Sequence, residues 1–356
     1  MCEPNEFNDL VPATDEPWAI SIRSIFDHVI RRKLSAPAIL WRKPFPKIEL
    51  CLFNSPEQNA FATKVGDHYA VGIFSGLHDA IQAIANTVLS DSRAFVRTGN
   101  PDAESVIQHD KPHSHDYFTN NLCEIANRIP LDSERKDFAE YLKNLTMRFV
   151  VEHEIAHISL GHLDANKDLT SLNENSDRQL SEEENFGIEM QADEIAFGKC
   201  IDWVEDSIKG RDRELRTRFS TRSPFRRFKD LYTGVYYLFE TFSHLSMSNT
   251  HPCPLHRQLR LGMMLEKMLQ LMTGVSLDDT PRKLIVDVIK SVDKQFEHIL
   301  GIDWTDRLAE TIEILDPGNG IEPIEQYNKL VADLGPKYDT HSFHRSSFDE
   351  HDTMPE

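Results

Sequence analysis

Residues 151 to 157 read Val-Glu-His-Glu-Ile-Ala-His, which is an HExxH pattern inside a run with helical periodicity. Four residues is about one helical turn, so His153 and His157 fall on one face with their imidazoles converging. Two converging imidazole nitrogens suit zinc, and Glu154 then stands where it could accept the proton of an attacking water. The flanking Phe149, Val150, Val151, Ile155 and Ile158 are apolar, so the helix is expected to be buried, where polar side chains need partners.

A hydrolytic zinc site needs three protein ligands, so a third must come from elsewhere. The HExxHxxGxxH route is closed, because Leu160 stands at the glycine position and Leu163 at the third histidine. Glu189, in the run Glu-Met-Gln-Ala-Asp at 189 to 193, offers the alternative. Asp193 follows one turn later on the same face, where it could accept a hydrogen bond from a ligand imidazole, and Ala192 is small enough to let two helices approach. The competing account of Glu189 is a solvated acidic face. Residues 249 to 257 (Asn-Thr-His-Pro-Cys-Pro-Leu-His-Arg) add His251 and Arg257, either of which could stabilise an oxyanion during amide hydrolysis.

Taken in that order, HExxH, ExxAD and NTHPxxxxR resemble the gluzincin metallopeptidases. The pattern is most similar to the phage-exclusion (Lit-type) peptidases, and is also similar to the HtpX-type and ImmA-type families. The matched pieces are residues 153–157, Gly161-His162, 189–193 and 249–257, with a strand region from Asn59 to Ile73 that is similar to the family's edge strand along the cleft. The resemblance implies one Zn2+ per chain held by His153, His157 and Glu189, with Glu154 as general base. It places Asp193 behind the ligands and His251 and Arg257 along the site. It implies an extended protein substrate added as a β-strand at Tyr69, Val71 and Ile73. Lit-type peptidases cut a translation factor, elongation factor Tu, when a phage product triggers them, so the resemblance implies a translation factor as substrate and a phage- or stress-derived activator. Two other readings stay open: a regulatory peptidase that cuts a transcription repressor, and a metal-free helical interaction module in which the same polar groups are satisfied in a core.

The elements that must position these residues follow from periodicity. Helices are expected over 17–34, with a stripe of Ile20, Ile22, Ile25, Val29 and Ile30, then over 77–89, 132–161, 181–208, 225–244 and 259–272. Gly161 is the expected stop of the HExxH helix, and Ser181 with Glu184 has capping-box form at the start of the next. Strands are expected over Ile48–Phe53 and Tyr69–Phe74, with Gly66-Asp67 among the turn residues between them. The expected fold is α+β, mainly helical: a zincin-like domain with a small mixed sheet packed on the HExxH helix. The expected organisation is an N-terminal helical extension over 1–45, the metallopeptidase domain over 46–275, a C-terminal helical segment over 276–334 and a mobile polar tail over 335–356.

Of 356 residues, 39 are Lys or Arg and 58 Asp or Glu, a net charge of -19 that repels phosphate backbones and disfavours nucleic acid and anionic membrane as partners. No run is long and apolar enough for a membrane span, the first residues have no signal-peptide pattern, and the 5 scattered cysteines suit a reducing compartment; a cytoplasmic location is expected. The basic stretch 207–229 reads as a solvated loop ahead of a docking site for an acidic partner or RNA. The acidic connection 163–185 reads equally as a lid or as disorder. His109, His113 and His115, and His341, His344 and His351, form clusters in polar segments, and Cys253 reads as a small packing residue.

Overall fold

The computed structural model describes residues 15–36, 43–107, 128–164, 182–208, 219, 222–244, 254–273, 288–292 and 294–295. His251, Cys253, Ser181, both histidine clusters, most of the acidic and basic connections and the tail lie outside the described residues. In chain order the elements are helix α1 (Pro17–Ser35), strands β1 (Ile48–Phe53), β2 (Ala60–Val65) and β3 (His68–Phe74), then helices α2 (Ser75–Leu89), α3 (Ser133–Ser159), α4 (Glu182–Ile208), α5 (Pro224–His244) and α6 (Pro254–Thr273). The chain is mainly helical with one small mixed sheet. Among the described residues, no helix is long and apolar enough to cross a membrane. The chain divides into two units whose boundaries fall inside α2, α3 and α4: among the described residues, one holds those up to Leu77 with Val150–Ala196, the other His78–Phe149 with those from Phe197 to Gln295.

In the first unit, α1 opens with Pro17, whose missing amide hydrogen costs nothing at the start of a helix. Ala19, Ile22, Phe26, Val29 and Lys33 form its buried face. The expected stripe is thus rotated: Ile20 is 58% exposed, and Phe26 takes the central place. Lys33 is buried because its ammonium lies 3.3 Å from the carboxylate of Glu152 on α3, next to the first histidine of the HExxH pattern. A charge with so little contact with water needs such a partner.

The sheet order is β1-β3-β2, with β1 parallel and β2 antiparallel to β3. The hairpin joining β2 to β3 turns at Gly66-Asp67, with Gly66 at φ 61°, a first central position that a type II′ turn reserves for glycine. Six of the seven β3 residues are buried, as a strand covered on both faces requires, whereas β2 is only half-buried. Phe61 of β2 lies across Gly72 of β3, where a Cβ would meet its ring at 2.1 Å, and it stacks with Phe53 and packs tilted against Phe74. The glycine is what lets that aromatic cluster close over the sheet.

In the second unit, Arg135 at the start of α3 is wholly buried and donates all five of its N–H groups to carbonyl oxygens. The acceptors are those of Leu89, Asp91, Ala94, Phe95 and Thr98, at 2.7 to 3.3 Å. The stretch after α2, as far as Ile107, is folded around this guanidinium, with Asp91 bonding Arg93 and the Ile107 amide. The run Leu231–Phe239 of α5 is buried throughout, as its composition required.

Candidate metal centre

His153, Glu154 and His157 are all buried, at 8%, 7% and 9% exposure, in the C-terminal part of α3. The helix ends where Gly161 adopts φ 77°, a left-handed conformation natural to glycine that suits the residue closing a helix. Across from the two histidines, α4 presents Glu189. Its carboxylate oxygens lie 3.4 Å from His153 Nε2 and 3.6 Å from His157 Nε2, and the two Nε2 atoms are 3.1 Å apart. These three residues could hold a metal ion.

Whether they fit one is a matter of geometry. With metal–nitrogen bonds of about 2.0–2.1 Å, two ligands of a tetrahedral zinc stand about 3.3–3.4 Å apart. The Nε2–Nε2 separation of 3.1 Å and the nearest nitrogen-to-carboxylate distances of 3.4 and 3.6 Å are each close to that edge length. The two separations to Glu189 go to different carboxylate oxygens, Oε2 for His153 and Oε1 for His157; with one ligand atom taken from each residue, the three lie within 4.8 Å of one another, close enough to converge on one ion. The donor set, two imidazoles and a carboxylate, is that of catalytic rather than four-ligand structural zinc sites.

The surroundings support the ligands. Asp193, with no exposure, sets its carboxylate 2.9 Å from His153 Nδ1, an ion-pair contact that raises the ring's basicity. Burial pulls the His153 ring toward neutrality, but its hydrogen bonds to Asp193 and Glu189 outweigh this and carry it up to about 10 in the metal-free protein. Burial drives His157 well below the ordinary histidine value and His162 down to about 4, so both are neutral imidazoles at physiological pH. Ala192, fully buried between Gln191 and Asp193, adds no bulk to the crowded face of α4.

Sequence reasoning brought together His153, His157, Glu189 and Asp193, and the structure does the same. Glu154 sits in the same helical turn and is not one of the three converging ligands. Arg257 belongs to the other unit, where it is buried with its guanidinium 4.6 Å from the Phe239 ring centroid. His251 lies outside the described residues. The edge-strand role expected of Tyr69, Val71 and Ile73 is corrected: they lie in β3, the central strand, flanked on both sides by β1 and β2. Its backbone groups are engaged by those neighbours, and the three side chains are 4%, 0% and 0% exposed. The outer edges of this sheet belong to β1 and β2. Tyr69 instead donates its hydroxyl to Asp164 at 2.6 Å, and Lys64 of β2 meets the same carboxylate at 2.6 Å. Asp164 thereby ties the chain leaving α3 to the β2–β3 hairpin.

The sequence reading assigned no role to His162 or Gln191. His162 Nδ1 is 3.0 Å from His157 Nδ1, and its Nε2 is 3.2 Å from Gln191 Oε1 on α4. The signal available was positional: His162 directly follows the glycine stop, and Gln191 lies two residues from Glu189. Compared with protein-family models, with curated proteins and with solved structures, the chain finds no match.

Proposed function

We propose that this protein is a zinc-dependent endopeptidase that hydrolyses a peptide bond in a specific protein substrate. The observation that carries the proposal is the convergence of the buried His153 and His157 with the half-buried Glu189: the two Nε2 atoms are 3.1 Å apart and face the two carboxylate oxygens at 3.4 and 3.6 Å. The ordered motifs shared with gluzincins add to it, and the Lit-type likeness makes a translation factor the first substrate to try. A bound zinc supplies Lewis acidity that polarises a carbonyl and brings a water's pKa toward about 7.

The chain's own residues do the rest. Glu154 takes the proton of the attacking water on its carboxylate and returns it to the leaving amine nitrogen, a transfer worth about 10²–10⁴ in rate. Asp193 holds the His153 ring through Nδ1, so that its Nε2 stays aimed at the metal. The buried setting strengthens these electrostatic contacts by excluding water.

The test is cleavage of an unfractionated bacterial proteome, read by mass spectrometry of new termini. Wild-type protein is expected to generate discrete new termini, and Glu154→Gln to lose that activity while keeping its metal. Equal cleavage by the two proteins removes Glu154 as the base.

A further inference from the structure

The contacts around His157 reach past the ligand set and join the two helices that carry it. A histidine binds a metal through a bare nitrogen, so His157 Nε2 must be free of hydrogen and Nδ1 must carry it. That Nδ1–H then needs an acceptor, and the atom 3.0 Å away is His162 Nδ1. To accept, His162 Nδ1 must itself be bare, which leaves the hydrogen on Nε2. That nitrogen lies 3.2 Å from Gln191 Oε1, an amide oxygen that only accepts. One proton arrangement satisfies every step. The opposite orientation of the Gln191 amide would reverse each hydrogen bond and leave Nε2–H of His157 pointing at the ligand site.

We infer that His162 and Gln191 form a neutral hydrogen-bond relay that fixes His157 with its hydrogen on Nδ1 and its lone pair toward the metal. His162 is thus a positioning residue, and this inference rests on the metal-centre reading above. The two ligand histidines are backed differently: His153 by the carboxylate of Asp193, His157 by a neutral imidazole. The relay also spans elements, since His162 follows α3 and Gln191 belongs to α4, two residues from Glu189. A small rotation of α4 would move Glu189 and Gln191 together, and both ends of the ligand set would feel it.

The fold builds this deliberately. In a continuous helix, residue 162 would lie about 140° around the axis from residue 157 and face away from it. Gly161, at φ 77°, breaks the helix and returns the chain so that the two rings meet edge to face, centroids 5.2 Å apart. His162 is only 1% exposed, so the relay is closed to solvent on that side.

The test reads the ring form of His157 directly, by two-bond ¹H–¹⁵N correlation of metal-free, ¹⁵N-labelled protein at pH 7, alongside zinc affinity by chelator competition. Wild type is expected to show His157 protonated on Nδ1 only. His162→Ala, checked as folded by circular dichroism, is expected to lose that single form and to bind zinc about 10–100-fold more weakly. His162→Gln, which can accept from His157 and donate to Gln191, should restore both, and Gln191→Leu should behave as His162→Ala does. A wild-type His157 protonated on Nε2, or a His162→Ala protein with unchanged ring form and unchanged zinc affinity, overturns the relay and leaves the metal centre standing. A wild-type protein that takes up no zinc removes the metal centre instead, while the ring spectrum still decides the relay.

Discussion

Zinc uptake should tighten steeply as pH rises, because the site stores a proton that the metal must displace. In the metal-free protein the carboxylates of Asp193 and Glu189 keep the His153 ring protonated up to about 10. At pH 7, about three pH units lower, zinc must first expel that proton, at a cost of about 4 kcal/mol. Each unit of added pH removes about 1.4 kcal/mol of this cost. The apparent Kd for zinc should therefore fall about tenfold per pH unit between about pH 6.5 and 8.5, with about one proton released per ion bound. His157, held neutral by burial, adds nothing to the slope. Competition against a chromophoric chelator gives the affinity, and calorimetry in buffers of different ionisation heat gives the proton count. Asp193→Asn removes the carboxylate 2.9 Å from His153 Nδ1, so it should flatten the slope and still lose about 10–100-fold in affinity. An affinity constant over that range, with no proton released, would refute the electrostatic reasoning even if the metal binds.

Three further outcomes test other parts of the account. Arg135→Lys leaves at most three donors for five buried carbonyls, so at about 1–3 kcal/mol for each group left unpaired it should cost at least 2 kcal/mol in urea unfolding. A loss under about 0.5 kcal/mol would show that the loop does not depend on that guanidinium. Gly76→Ala should markedly lower the unfolding midpoint, because a Cβ there would lie 2.1 Å from the Pro56 carbonyl oxygen, a backbone atom that cannot swing aside; an unchanged midpoint contradicts that packing. Finally, the His153 ring has a higher pKa folded than unfolded, so its contribution to stability is complete below about 6.5 and fades as pH rises through about 10. Chelator-treated protein should thus lose thermal stability across that window more than zinc-loaded protein, and equal pH profiles for the two would count against this linkage.

The helices were legible because their apolar spacing is dense: α2, α3, α4 and α5 begin and end within a few residues of the periodic runs. The ligand set was legible for a related reason. Both pairs, His153 with His157 and Glu189 with Asp193, are spaced by one helical turn, so each pair shares a face whatever the tertiary fold. What spacing does not encode is pairing. Strand order β1-β3-β2 puts β3 in the middle, although β2 is its neighbour in sequence and β1 pairs with it across the hairpin. Ala60–Val65 is half-buried on its length and has no strong alternation, so it did not stand out as a strand of its own, and Tyr69, Val71 and Ile73 were assigned to an edge they do not occupy. Nothing in the spacing marks Arg135 or Lys33 as buried either, because their burial depends on carbonyls and a carboxylate supplied by distant segments. His162 was visible as half of the matched Gly161-His162 pair, without a role; its partner across the helix gap is a product of the fold.

The central claim is that two helices bring three ligands to one metal ion. Metal analysis by mass spectrometry of purified wild-type protein and of His153→Ala, His157→Ala and Glu189→Ala, each checked for folding, tests it most directly. The account predicts about one zinc per chain in wild type and its loss in all three variants. Metal-free wild type that fails to take up added zinc, or a Glu189→Ala protein that holds zinc as tightly as wild type, would contradict it.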